Sequence, residues 1–155
     1  MNTRVGIGYD VHPIVAGSKG LFLGGLKVSD SLYLSGHSDG DVLSHAIVDA
    51  ILGACSLGNI GLRYPENSSN KDRRSIEFLK ETADLIKGNW EVNNVDSVVV
   101  IEEIRLAGFV QSMIDNVASA LGIESELVNI KPKSGNGSSP GFAKAYAVCL
   151  LRRVE

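Results

Sequence analysis

Residues 37–54, HSDGDVLSHAIVDAILGA, constrain the fold of this chain more than any other stretch. After Asp41 the residues Val42, Ala46, Asp49 with Ala50, and Gly53 with Ala54 recur at helical spacing, and the run is apolar on most sides. A helix apolar almost all round must be buried, so the remaining elements have to be packed about it. Ser38 and Asp39 are candidate N-caps and Gly58 a candidate stop. The helix carries one histidine, His45, and the acidic half before it carries another, His37. The third and last histidine of the chain, His12, follows Asp10 by two positions.

The other elements follow in order. RVGIGY (4–9) reads as a short strand with glycines where bulk would be in the way. Phe22 and Leu26, flanking Gly24-Gly25, predict a hairpin ending near Val28; a turn at 29–31 and a short apolar piece, Leu32–Leu34, come next. GNIGLRYPENSSNKD (58–72) is a polar loop long enough to be functional. Residues 73–87 predict an amphipathic helix with Ile76, Leu79, Ala83 and Ile86 on one face. A strand at 95–101, a helix at 108–121, and strands at 126–131 and 141–151 complete the chain, the last strand preceded by PKSGNGSSPG. This order predicts one α/β domain of the α+β type over residues 1–155.

With 44% hydrophobic and 21% charged residues and a net charge of −3, the chain has no basic block to recruit nucleic acid or an anionic membrane surface. It has no apolar run that could span a bilayer, and MNTRVGIGYD has no signal core, so a cytoplasmic protein is expected. Cys55 and Cys149 lie in apolar runs at a spacing that fits neither a zinc ribbon nor a disulfide framework, and read as reduced thiols.

Period-two alternation puts Asp10 and His12 on one face of a strand, where both could reach one ion, with His45 as a third ligand. Two imidazoles and a carboxylate with an open fourth position suit a catalytic zinc. Asp49, one turn beyond His45, is a candidate to fix its tautomer. Asp39 and Asp41 could instead hold a hard divalent cation with water. Spacing alone also accommodates a plain core histidine. Two further elements could receive an anion: Ser38-Asp39-Gly40 before the helix, and the amides of Gly135, Asn136 and Gly137 beside Lys131 and Lys133. Each could equally be turn chemistry.

As a string, SDGDVLSHAIVDAILGA resembles the signature of the 2-C-methyl-D-erythritol 2,4-cyclodiphosphate synthase family. RVGIGYDVH, GNIGLRYP, the NVD strand and the VNIK strand resemble further elements of that family in the same order. The resemblance covers essentially the whole chain. It implies a four-stranded main sheet with helices on one side plus a short hairpin, assembled as a homotrimer with active sites between subunits. The implied substrate is 4-diphosphocytidyl-2-C-methyl-D-erythritol 2-phosphate. Its 2-phosphate attacks the β-phosphorus, CMP leaves, and the cyclic diphosphate forms.

Carried over by position, Asp10, His12 and His45 would bind zinc, and Asp10, Val11 and His12 would also border substrate. His37 and Ser38 would meet substrate phosphate, His37 helping to stabilise the transition state. Asn59, Ile60, Gly61, Tyr64, Pro65, Glu66, Asn67 and Ser68 would line the methylerythritol end, and Lys71 would reach a phosphate. Ile101, Arg105, Leu106, Ala107, Lys133 and Ser134 would form the nucleotide side, with Ser134 where the family has a catalytic threonine. A second ion, Mg2+ or Mn2+, would lie between the diphosphate phosphates.

The sequence departs from the family in places. Asn136 stands where a glutamate holds that second ion, the surrounding loop is several residues shorter, and no arginine matches the family's later loop arginine. Glu102 and Glu103 bring negative charge to the cytidine stretch, Asn59 replaces an aspartate, and Arg73-Arg74-Ser75 replaces Ala-Asp-Ser. The zinc half thus reads as intact and the nucleotide half as altered. A paralogue that binds a phosphorylated or isoprenoid ligand with little or no turnover, and a zinc phosphohydrolase on the same scaffold, are the alternatives.

Overall fold

The helix that anchors the sequence, α1 (Val42–Ala54), lies against one face of a mixed sheet in the computed structural model, which describes residues 2–155. All of α1 is buried except Asp49 and Gly53. Four strands make the body of the sheet: β1 (Thr3–Ala16), β5 (Trp90–Val100), β6 (Val128–Lys133) and β7 (Phe142–Arg153). A short β4 (Leu32–Leu34) extends it at the far end of β1, giving the order β4-β1-β7-β5-β6. Among the described residues only β5 and β6 run parallel, joined through α4 (Val110–Leu121). The hairpin of β2 (Leu21–Leu23) and β3 (Leu26–Ser29) stands apart as a two-stranded ribbon. Its turn residues Gly24 and Gly25 have φ of 55° and 71°, the left-handed pair that a tight two-residue hairpin turn requires.

The glycines of the first strand determine how closely α1 approaches. A Cβ on Gly6 would stand 1.8 Å from the Ala50 carbonyl oxygen, and one on Gly8 1.8 Å from that of Ala46. The helix backbone therefore rests directly on β1, one residue from His45 on one side and two from Asp10 on the other. The helices α3 (Ser75–Ile86) and α4 cover the same face, α3 through Phe78, Leu79 and Ile86 and α4 through Met113, Val117 and Leu121. The opposite face is bare. There Val5, Ile7, Tyr9 and Val11 of β1 run beside Phe142, Tyr146 and Val148 of β7, all exposed.

Several boundaries differ from the sequence reading. The first strand runs to Ala16, well past Tyr9, because β4 and β7 both pair with it. The N-cap of α1 is Asp41, not Ser38 or Asp39, and the helix ends at Ala54 before Gly58 is reached. The loop at 58–72 contains one helical turn, α2 (Ile60–Arg63), capped by the side chain of Asn59. Cys149 is buried and Cys55 half-buried, both as free thiols; burial pushes Cys149 up to about 12.

Candidate active site

Asp10 and His12 lie on the same face of β1, and the close approach of α1 brings His45 to them. Asp10 Oδ2 is 2.9 Å from His45 Nδ1 and 3.2 Å from His12 Nε2. One ligand atom from each of the three lies within 4.8 Å of the others, so the trio could hold a metal ion. The outer ring nitrogens are tied. His12 Nδ1 is 2.6 Å from the Ser35 carbonyl, which can only accept, so Nδ1 carries a proton and Nε2 is the nitrogen that donates to Asp10 when the ring is charged. Burial alone would raise the Asp10 carboxyl, but hydrogen bonds from His12 and His45 and their charge outweigh it and hold the group at about 2. Burial likewise opposes charge on His12, yet Asp10 and the Ser35 carbonyl raise it above its ordinary value.

The trio forms the wall of a 230 Å³ pocket whose other lining includes His37, Ser38, Ile60, Gly61, Tyr64 and Glu66. His37 donates from Nε2 to the Asn67 carbonyl at 2.6 Å, which leaves Nδ1 without a partner among the described residues. Tyr64 is stacked on Phe78 and its hydroxyl donates to the Phe78 carbonyl at 3.2 Å, so the far wall is anchored to α3. Asn70 and Phe78 also line this pocket, and the sequence reading named neither.

Other expected residues stand just outside it. Asn59 is engaged in capping α2. The Pro65 carbonyl accepts from Asn70, while Asn67 closes its own turn through Ser69 and Asn70. Ser68 and Lys71 are exposed on the same loop. The side chain of Val11 belongs to the bare face of β1, opposite Asp10 and His12.

Four expectations are corrected. Asp49 does not reach His45; it accepts from the Ile60 N–H at 2.6 Å and so fastens α2 to α1. Asp41 is fully buried and accepts from the Gly24 and Gly25 amides and from the amide and hydroxyl of Ser44, so it joins the hairpin to α1 and is closed to a cation. Burial, with the charge of Asp39 added, raises its carboxyl. Asp39 is engaged by Arg74 and Ser75, and the amides of Asp39, Gly40 and Asp41 donate to the Arg73 carbonyl, Ser38 Oγ and Asp39 Oδ1, so the backbone of this turn is not open to an anion, while Ser38 still lines the pocket. Lys131 is paired with Asp96 at 2.6 Å rather than with the glycine loop.

The residues expected on the nucleotide side come together elsewhere. Ile101, Arg105, Leu106, Ala107, Lys133 and Ser134 line a 420 Å³ pocket with Glu102, Ile104 and Pro132, and it shares no residue with the first. The two glutamates are turned onto the shortened loop. Glu102 accepts from the Ser139 N–H and Glu103 from the Gly141 N–H, each at 2.8 Å. Ser134 donates to Asn136 Oδ1 at 3.2 Å.

Residues 3–152 match the profile of the YgbB family. The chain is 49% identical over 152 residues to a 2-C-methyl-D-erythritol 2,4-cyclodiphosphate synthase from Kosmotoga olearia, covering 97% of each chain. Among solved structures it is similar to the bifunctional IspDF of Campylobacter jejuni, with a TM-score of 0.91 and 31% identity over 99% of this chain and 43% of that one. It is also similar to the CDP complex of IspF from Plasmodium falciparum, with a TM-score of 0.83 and 32% identity over 100% of this chain and 99% of the other.

Proposed function

From the premise that the chain belongs to the YgbB family of 2-C-methyl-D-erythritol 2,4-cyclodiphosphate synthases, we propose that it cyclises 4-diphosphocytidyl-2-C-methyl-D-erythritol 2-phosphate and releases CMP. The observation that carries this reading is the Asp10, His12 and His45 trio opening on one pocket with His37 and Ser38. Two imidazoles and a carboxylate with an open side fit zinc. Bound there, zinc would supply a Lewis acid that polarises a phosphoryl oxygen. No protein nucleophile is required. A 2-phosphate oxygen forms the new bond to the β-phosphorus, the bond from that phosphorus to the CMP oxygen breaks, and CMP departs with the electron pair. The chain's own task is to hold both phosphates in line and to shield their charge. His37, braced by the Asn67 carbonyl, and Ser38 are placed for the phosphate; Ile60, Gly61, Tyr64 and Glu66 enclose the methylerythritol end. Pro65, Asn67, Ser68 and Lys71 border it from the same loop.

The nucleotide side, with Lys133, Ser134 and the 101–107 turn, lies in the separate pocket, so we infer that a second copy completes each site. The bare apolar face of the sheet supports assembly, since Ile7 is 74% exposed and Val5 68%. A homotrimer is the assembly proposed. Asn136 is a weaker ligand for Mg2+ or Mn2+ than a carboxylate, so any second ion would rest mainly on substrate phosphate. The alternatives of a ligand-binding paralogue or a phosphohydrolase gain nothing from the relatives. The test is phosphorus NMR of the zinc-loaded protein with the diphosphocytidyl substrate and Mg2+. Equal amounts of CMP and cyclic diphosphate are expected, and inorganic phosphate in place of CMP would overturn the reading.

A further inference from the structure

One buried polar chain behind the metal trio has no counterpart among the residues assigned so far. The outer nitrogen of His45, Nε2, lies 2.7 Å from Ser75 Oγ, and the Ser75 hydroxyl is in short contact with Asp39 Oδ1. Ser75 is fully buried, and it sits thirty positions from His45 at the start of α3. Asp39 is a carboxylate that only accepts, so the hydroxyl proton of Ser75 goes to it. The Ser75 oxygen then presents lone pairs to His45, which requires the imidazole proton on Nε2. Nδ1, 2.9 Å from Asp10, donates to that carboxylate in the metal-free chain, and this is the proton an ion would displace, since Nε2–H is already committed to Ser75. Ser38 Oγ, 3.2 Å from the same Nε2, is a longer and weaker partner.

Asp39 is itself fixed from three further sides. It accepts from the Ser75 amide and the Asp41 amide, each at 3.1 Å, and from Arg74 Nε at 3.2 Å. Arg74 also donates to the Gly25 carbonyl at 2.7 Å and lies 3.9 Å over the Phe22 ring, so the β2–β3 hairpin supports it. The carboxylate of Asp39 is only 6% exposed and stands beside the buried Asp41; the Arg74 guanidinium is the cation that balances it.

We propose that Ser75 is a positioning residue for metal binding: with Asp39 and Arg74 behind it, it sets His45 in the one tautomer and orientation that offers Nδ1 to the ion. This rests on the metal centre of the proposed function. Partners that orient a metal-bound histidine in this way typically change metal affinity by about 10–100-fold.

The experiment is a zinc titration against a chelating dye on folded wild type, S75A and S75T, with the nitrogen-15 spectrum of the His45 ring in the zinc-loaded proteins. The expected result for S75A is zinc affinity about 10–100-fold weaker and a His45 Nε2–H that exchanges rapidly with solvent. S75T keeps the hydroxyl and is expected to restore most of both. R74A, which leaves Ser75 in place, is expected to weaken zinc by a smaller factor. S75A with wild-type affinity and an unchanged Nε2–H signal would overturn the positioning role while leaving the metal centre standing. Absence of stoichiometric zinc binding by wild type would overturn the metal centre, and this inference with it. If S75A does not fold, R74A and D39N carry the test through the same two readouts, and unchanged affinity in both overturns the proposal.

Discussion

The two pockets of this chain are built from different material. Around Asp10, His12 and His45 each chemical group stands on a long strand or a buried helix, and a separate polar group orients each imidazole: the Ser35 carbonyl for His12 and Ser75 for His45. Around the 101–107 stretch and Lys133–Ser134 the lining is turn and loop, kept in shape by the carboxylates of Glu102 and Glu103 on two backbone amides. A group on a rigid element has its position determined by packing, whereas a group on a loop needs local hydrogen bonds to hold it. The first pocket therefore suits an ion whose ligands must sit within tenths of an ångström. The second, which the proposed function assigns to the nucleotide, can tolerate small shifts of its lining.

Breaking the rigid half has the largest expected effect. H45A removes one of three metal ligands, and CMP release is expected to fall on the order of 10³-fold or more, several kcal/mol of lost charge stabilisation. Metal analysis of the purified variant should show zinc lost in parallel. Full zinc occupancy in H45A would move the ion to other ligands.

A smaller effect belongs to the loop half. E102A is expected to raise KM for the diphosphocytidyl substrate about fivefold, the equivalent of about 1 kcal/mol for one lost hydrogen bond. Zinc content should not change, and E102Q, which keeps an accepting oxygen, should restore most of the loss. A fall in zinc content in E102A would show the two halves to be one cooperative unit, contrary to the comparison.

The finest test uses pH on the metal half alone. The folded value of His12 lies above 6.5, so its pairing with Asp10 contributes to the metal-free protein fully below pH 6.5 and is lost as pH rises through the raised value. The melting-temperature gap between metal-free wild type and H12Q should therefore narrow from pH 6 to pH 8.5. Zinc affinity of wild type should move the opposite way, because the ion needs the deprotonated ring. A gap that widens with pH would contradict the Asp10–His12 pairing.

The metal half was legible in the sequence because its ligands fall in short, periodic strings: a two-residue step on a strand and a histidine on a helix apolar all round. Ser75 was not legible as a partner of His45. Only the docking of α3 on α1 brings residues thirty positions apart within 2.7 Å. Asp49 misled for the converse reason. One helical turn from His45 it has the right spacing, but it points to α2, whose amide competes for it. Asp39 and Asp41 have the composition of a cation site, and backbone amides, a guanidinium and two serine hydroxyls engage them first. In the loop half, Glu102 and Glu103 read as charge against a nucleotide, while their hydrogen bonds hold the shortened loop. α2, at four residues, is too short for any periodicity to register, and β4, at three, showed only as the apolar piece Leu32–Leu34.

Gly6 and Gly8 are chemically silent, yet the spacing of the metal ligands depends on them. A methyl group at Gly8 would overlap the Ala46 carbonyl oxygen, and relieving that clash would lift α1 off β1 and draw His45 from Asp10. The reach of an imidazole is fixed, so the distance between ligands is set by two side chains that are missing. In this protein the calibration of the site is inherited through hydrogen atoms on a strand, and an assay of ligand substitutions alone would never detect it.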